Sequence, residues 1–211
     1  MEKHNISQAL SLSTVGFLHN YHDGNAETLR VCEQHPNIMP VATIDPRGYF
    51  GPAGTVKSIL DRGFKALRFF PEIQNWSTDH STFQDIVDEL DGVTIPVIIQ
   101  ANISGLLSSL VKVFKGKNVK LILDGVMFET ISEAVSIMKK NDNVLLGTSN
   151  IRVPNALRFL VDQVGSHRLV YGSGTLSSSI YAAINYIQDS DISDEDKSKI
   201  FSENLKGLLG G

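Results

Sequence analysis

The stretch Arg168-Leu-Val-Tyr-Gly-Ser-Gly174 is the last beat of a rhythm that runs through the whole chain. A short apolar run ends on a small or polar residue, and a helical stretch follows it. Six earlier runs share the form, at 9–13, 38–44, 65–70, 96–101, 119–124 and 144–149. Apolar runs this short, bounded by Gly, Pro or polar residues, are read as buried strands. The intervening segments carry apolar residues at helical spacing. They predict helices over 25–34, 53–61, 81–90, 104–114, 129–140, 154–164 and 177–187, with a closing helix over 194–209.

Strands that alternate with helices in this way form βαβ units and a parallel sheet. Right-handed crossovers then leave an open doubly wound sheet or a closed barrel. An open dinucleotide-binding sheet carries a glycine-rich turn after its first strand, and Thr14-Val-Gly-Phe-Leu-His-Asn20 is not one. No GxxxxGK[ST] phosphate loop is present either. The expected fold is therefore a TIM-like parallel (β/α) barrel with seven recognisable strands, as a single domain over 1–211.

Bulk properties narrow the function. With 211 residues, 42% of them hydrophobic, the chain can bury a sizeable core. The net charge of -4 and the scattered Lys and Arg argue against a nucleic-acid partner, which needs a basic stripe against phosphates. No apolar run approaches the roughly 20 residues that span a bilayer, and the polar start Met1-Glu-Lys-His is unlike a signal peptide. Cys32 is the only cysteine, which suits a reducing cytoplasm. It reads as small core filling, and Trp76, in an expected loop over 71–79, as a packed anchor. Asn25 is read as a helix cap, and Ser193-Asp-Glu195 as the start of the closing helix.

Several segments together resemble the amidohydrolase-related TIM-barrel hydrolases. Pro36-Asn-Ile-Met-Pro-Val-Ala-Thr-Ile-Asp-Pro46 looks like that family's Pro, apolar strand, Asp-Pro pattern. Gly63-Phe-Lys-Ala-Leu-Arg-Phe-Phe-Pro71, Ile95-Pro-Val-Ile-Ile-Gln100 and Val119-Lys-Leu-Ile-Leu123 are similar to its fourth, fifth and sixth strands. His167-Arg-Leu-Val-Tyr-Gly-Ser173 resembles the eighth, and Asn204 with Leu208-Leu209-Gly210 the closing helix. The family's first strand, with its His-x-His, has no counterpart here. The resemblance implies a divalent metal that polarises a carbonyl or activates water. It places the remaining ligands at Gln100, at about Gly125, and at Gly174, where the family carries the Asp of Gly-Ser-Asp. An amide and two glycines do not supply the His, Cys or carboxylate donors that zinc or iron takes. The expectation is accordingly no metal and no cofactor.

In a barrel, residues at the C-terminal ends of strands converge on one mouth. Asp45, Arg68, Gln100, Asn102, Asp124 and Asn150 hold such positions, joined by His19 and His22 from the first loop. Asp124 ends an apolar strand, where a carboxylate is partly desolvated and suited to acid/base work, although a turn or helix cap is an equal reading. Arg68 interrupts Ala66-Leu-Arg-Phe-Phe70 and needs a partner, either an internal carboxylate or an anionic ligand. The expected catalytic pair is Asp124 and Arg68, with the other residues binding ligand. Three functions fit: a metal-independent hydrolase of a small polar or anionic substrate, a small-molecule-binding protein without turnover, and an assembly protein. The unpaired barrel edge is expected to be covered either by the N-terminal segment or by a second copy of the chain in a homo-oligomer.

Overall fold

The computed structural model describes residues 1–50, 55–175 and 178–210. Within them the chain forms two compact units: Met1–Ile99 with Val113–Val119, and Gln100–Lys112 with Lys120–Gly211. Seven strands alternate with helices, and the strand pairs of each unit are parallel. The expected starts of two helices, at Ala53 and Ser177, lie outside the described residues.

The first unit places β1 (Ala9–Ser11), β2 (Ile38–Thr43), β3 (Ala66–Phe69) and β4 (Val97–Gln100) side by side in chain order. Ala9 registers with Ile38, Val41 with Ala66, and Leu67 with Val97. Val41, Ala42, Leu67, Phe69, Val97 and Ile99 are all buried, because helices cover the strands and leave little room for polar alternation. Pro40 sits inside β2 opposite Ser11. It lacks an N–H, but its carbonyl still accepts from the Lys65 N–H at 2.8 Å.

Helices α1 (Thr14–Leu18), α2 (Tyr21–Gln34), α3 (Thr55–Asp61) and α5 (Ser81–Glu89) connect these strands, with a short α4 (Pro71–Gln74) in the segment expected to be loop. Pro71 opens α4 with its fixed φ, and Asn75 closes it at φ 54°. Trp76 is buried against Phe83, with ring centroids 4.7 Å apart, and its indole N–H donates to Gln74 Oε1 at 2.9 Å. It is the anchor the sequence suggested.

Asn25 is not a cap. Asn20 fills that role, accepting from the N–H groups of His22 and Asp23 at 2.9 and 3.3 Å, so α2 begins four residues earlier than expected. Asn25 lies inside α2, where its buried amide donates to the Thr43 carbonyl and accepts from the Thr43 N–H, both at 2.9 Å. That pair substitutes for a strand neighbour at the end of β2. The early start of α2 brings it against α1 at Gly16 and Gly24, where a Cβ on Gly24 would collide with the Gly16 backbone. Cys32 is only half-buried on α2.

The second unit carries β5 (Leu121–Asp124), β6 (Val144–Gly147) and β7 (Leu169–Val170), with Leu123 registered on Leu146 and Leu146 on Leu169. Around them lie α6 (Leu106–Val113), α7 (Ile131–Met138), α8 (Ala156–Val164) and α9 (Ile180–Gln188). Glu133 of α7 caps α6 from outside. Its carboxylate accepts from the Gly105 and Ser108 N–H groups at 2.8 Å and from the Ser108 hydroxyl at 2.6 Å. Burial opposes its charge, yet these three donors outweigh that effect and hold the carboxyl below its ordinary range.

The closing helix begins where expected, with the Ser193 hydroxyl accepting from the Asp196 N–H. It is not one regular helix, however: a π-helical turn over Lys199–Glu203 separates α10 (Asp194–Ser198) from α11 (Asn204–Leu208). The turn leaves the Ile200 carbonyl free to accept from the Tyr171 N–H at 2.8 Å, just past the end of β7. Asn204 adds two bonds, from Nδ2 to the carbonyls of Ser166 and Leu169 at 2.8 and 2.7 Å. Among the described residues no helix is long and apolar enough to cross a membrane.

Candidate functional site at the ends of β5, β6 and β7

Asp124 is the last residue of a strand whose four residues are all buried, and it is itself only 6% exposed. The register Leu123 to Leu146 puts it beside Gly147, the last residue of β6. A Cβ at Gly147 would lie 2.6 Å from Asp124 Oδ1, so the carboxylate occupies space that only glycine leaves open. Two residues further on, the Ser149 hydroxyl donates to Asp124 Oδ1 at 2.5 Å. That bond satisfies part of the need of a buried carboxylate and fixes its rotamer.

The end of β7 completes this wall. The Thr148 N–H donates to the Val170 carbonyl at 2.9 Å, and Thr148 Oγ1 accepts from the Gly172 N–H at 3.2 Å, which extends the β6–β7 pairing by hydrogen bonds. A Cβ at Gly172 would come within 2.9 Å of Ser149 Cβ. The glycine there lets β7 close on the serine that holds Asp124. On the other side, the Ala101 N–H donates to the Asp124 carbonyl at 2.9 Å.

The three positions marked by the sequence resemblance fall in this unit. Gly125 has φ +84°, and a Cβ on it would sit 3.3 Å from Gln100 Cγ. Gly174 has φ +62°, and a Cβ on it would lie 3.1 Å from the Ser149 carbonyl and 3.7 Å from Asn150 Oδ1. Both backbones are in the left-handed region that side chains rarely adopt. A side chain at either position would be strained. Among the described residues no three His, Cys, Asp or Glu side chains are grouped as a metal site. Gln100 offers a neutral amide there, and neither glycine offers a side chain.

The remaining candidates take several settings. Gln100, Asn102 and Asn150 are half-buried in the second unit, Gln100 next to Gly125 and Asn150 next to Gly174. In the first unit, Asp45 caps the 3₁₀ turn Pro46–Gly48 and pairs with Arg47, whose Nη2 lies 2.7 Å from Asp45 Oδ2. Its charge is thus met locally. The Arg68 guanidinium lies over the Phe70 ring, 5.1 Å from its centroid, and Phe70 stacks on Phe17. His19 and His22 do not share a loop as expected. His19 ends α1 and His22 is the second residue of α2, both exposed, with the His22 ring tilted against Tyr21 at 4.0 Å. Sequence reasoning missed Ser149 and Gly147, whose only signal was a small residue followed by Thr-Ser-Asn at the end of an apolar run.

No protein-family model and no curated protein matches the chain. Solved structures do. An uncharacterised TIM-barrel protein from Bordetella bronchiseptica superposes with a TM-score of 0.79 at 15% identity, covering 100% of this chain and 81% of that one. The fold is that of a TIM-barrel protein. A 2,6-dihydroxybenzoate decarboxylase in complex with 2,6-dihydroxybenzoate matches this barrel with a TM-score of 0.76 at 14% identity, covering 100% and 86% of the two chains. A dihydroxybenzoic acid decarboxylase from Polaromonas, with bound manganese, matches it at 0.76 and 15%, over 100% and 83%. At these identities the likeness concerns the barrel and its strand order.

Proposed function

We propose that this barrel is a metal-independent hydrolase of a small polar or anionic substrate, in which Asp124 takes and returns the proton. The observation that carries the reading is the buried Asp124 carboxylate, held by the Ser149 hydroxyl at 2.5 Å at the C-terminal end of a barrel strand. That end is where barrel enzymes place their chemistry. A buried carboxylate anchored by a hydroxyl at a strand end is suited to take a proton from an attacking water and to return it. Gln100, Gly125 and Gly174 offer no His, Cys or carboxylate ligand, which supports a reaction in which no divalent ion activates that water. Gln100, Asn102 and Asn150 supply neutral hydrogen-bonding groups suited to a polar substrate.

The test is turnover of a panel of small esters, lactones and amides by chelator-treated protein, with Asp124→Asn alongside. Wild type is expected to retain turnover in the chelator, and Asp124→Asn to lose roughly 10²–10⁴-fold in kcat, the range for a general base. Activity restored only by added zinc or manganese contradicts the reading. Binding without turnover across the panel favours a ligand-binding protein on the same barrel.

A further inference from the structure

The hydrogen bond from Ser149 to Asp124 differs in setting from other serine–carboxylate pairs in the chain. Ser13 and Ser193 donate to Glu27 and Asp196 while capping α1 and α10, and Ser108 donates to Glu133 where that carboxylate caps α6. The unpaired N–H groups of a helix start account for those three. Ser149 and Asp124 stand at no helix start, since the next helical turns begin at Phe128 and Ala156. Both residues are buried, and their bond spans the ends of β5 and β6. The Ser149 proton is committed to Asp124 Oδ1. Among the described residues no group donates to Ser149 Oγ, so its lone pairs are uncommitted.

The backbone around this serine is tight. Ser149 sits in a turn directly after β6, closed by the Ile151 N–H on the Thr148 carbonyl at 3.3 Å. Gly147, two residues before it, leaves room for the Asp124 carboxylate. Gly172, just past the end of β7, faces it from the other side, where a Cβ would lie 2.9 Å from Ser149 Cβ and 3.1 Å from its nitrogen. A serine on a sharp turn after a strand, with glycine where neighbours pass close, is the setting of serine nucleophiles in sheet hydrolases. Asn150, Gly172 and Gly174 beside it are partly open to solvent. A nucleophilic hydroxyl also needs a base within hydrogen-bond reach, and Asp124 stands at 2.5 Å.

We propose that Ser149 is a nucleophile that forms an acyl-enzyme with carboxylic esters, an inference that rests on Asp124 acting as the base. Ser149 Oγ attacks the acyl carbon while its proton passes to Asp124. The bond to the alcohol breaks, and the alcohol leaves with that proton. Water then attacks the acyl-serine and gives a proton to Asp124; the acid departs as Ser149 Oγ takes the proton back. The experiment treats the whole chain, in chelator, with p-nitrophenyl acetate and separately with phenylmethanesulfonyl fluoride. After an acid quench, tandem mass spectrometry locates the adduct. Acetyl and sulfonyl groups are expected on Ser149, and Asp124→Asn, shown folded by circular dichroism, is expected to slow both labelling reactions by roughly 10²-fold or more. A serine that only positions Asp124 stays unmodified. Ester turnover with Ser149 unmodified by either reagent overturns the proposal and leaves direct attack by water on the substrate. Labelling of Asp124→Asn at the wild-type rate overturns it as well. Sulfonylated Ser149 in a protein that turns over no ester supports the nucleophile and counts against the hydrolase reading. Neither labelling nor turnover contradicts both.

Discussion

Replacing Ser149 by Ala removes one oxygen from the wall that holds Asp124, and its cost follows from the geometry. The hydroxyl donates to Asp124 Oδ1 at 2.5 Å, within the range of hydroxyl-to-carboxylate bonds, and Ser149 is 5% exposed. Water therefore does not readily take its place. A hydrogen bond to a charged group contributes about 1.5–3 kcal/mol, against about 0.5–1.5 kcal/mol for a neutral one. Ser149→Ala is expected to lose an amount in the upper range, read from urea unfolding at neutral pH. With a slope of about 2 kcal/mol/M the midpoint falls by roughly 1 M. Asp124→Asn keeps an acceptor oxygen but removes the charge. In that background the same serine substitution is expected to cost about 1 kcal/mol less, and the difference is the coupling of the pair. A loss below about 0.5 kcal/mol in the wild-type background, or equal losses in both, would refute the reasoning.

Two further outcomes concern the first unit. Asn25→Ala strips the Thr43 N–H and carbonyl of their partner inside a buried contact, and is expected to cost about 2–6 kcal/mol in urea unfolding, the sum for two buried groups left unpaired. Tyr49 is buried and donates to Glu89 Oε1 at 2.5 Å; burial first, then that bond, push its phenol up to about 12 from 10.0. Because the folded state holds this proton more tightly, the contribution is complete below pH 10 and is lost as pH rises through about 12. The stability difference between wild type and Tyr49→Phe is therefore expected to shrink by about 2 kcal/mol across that window, and a difference independent of pH contradicts it.

The strands were legible because their chemistry is local. Val144-Leu-Leu-Gly147 is apolar throughout and Leu121-Ile-Leu123 is apolar up to Asp124, and both stop on residues that stop strands. Ser193 was legible for the same reason, since a cap acts on residues two and three further along. What failed to show depends on distance along the chain. Asn25 resembles a cap by type, yet its partners are 18 residues away in β2, while the true cap, Asn20, lay in a segment without helical periodicity. Ser149 meets Asp124 across 25 residues, and nothing near either residue announces the other. The π-turn over Lys199–Glu203 keeps the apolar spacing of a helix, so the carbonyl it releases toward Tyr171 is invisible in the pattern. Asp124 stood out alone, as a charge at the end of an apolar run. Its seat over Gly147 is a matter of β5–β6 register.

The central claim is that the site around Asp124 works without a bound divalent ion. Its most direct test is elemental mass spectrometry of catalytically active protein purified without chelator. The account predicts zinc, iron and manganese well below one equivalent per chain in fractions that turn over substrate. One equivalent of any of them, rising and falling with activity across the fractions, would contradict it.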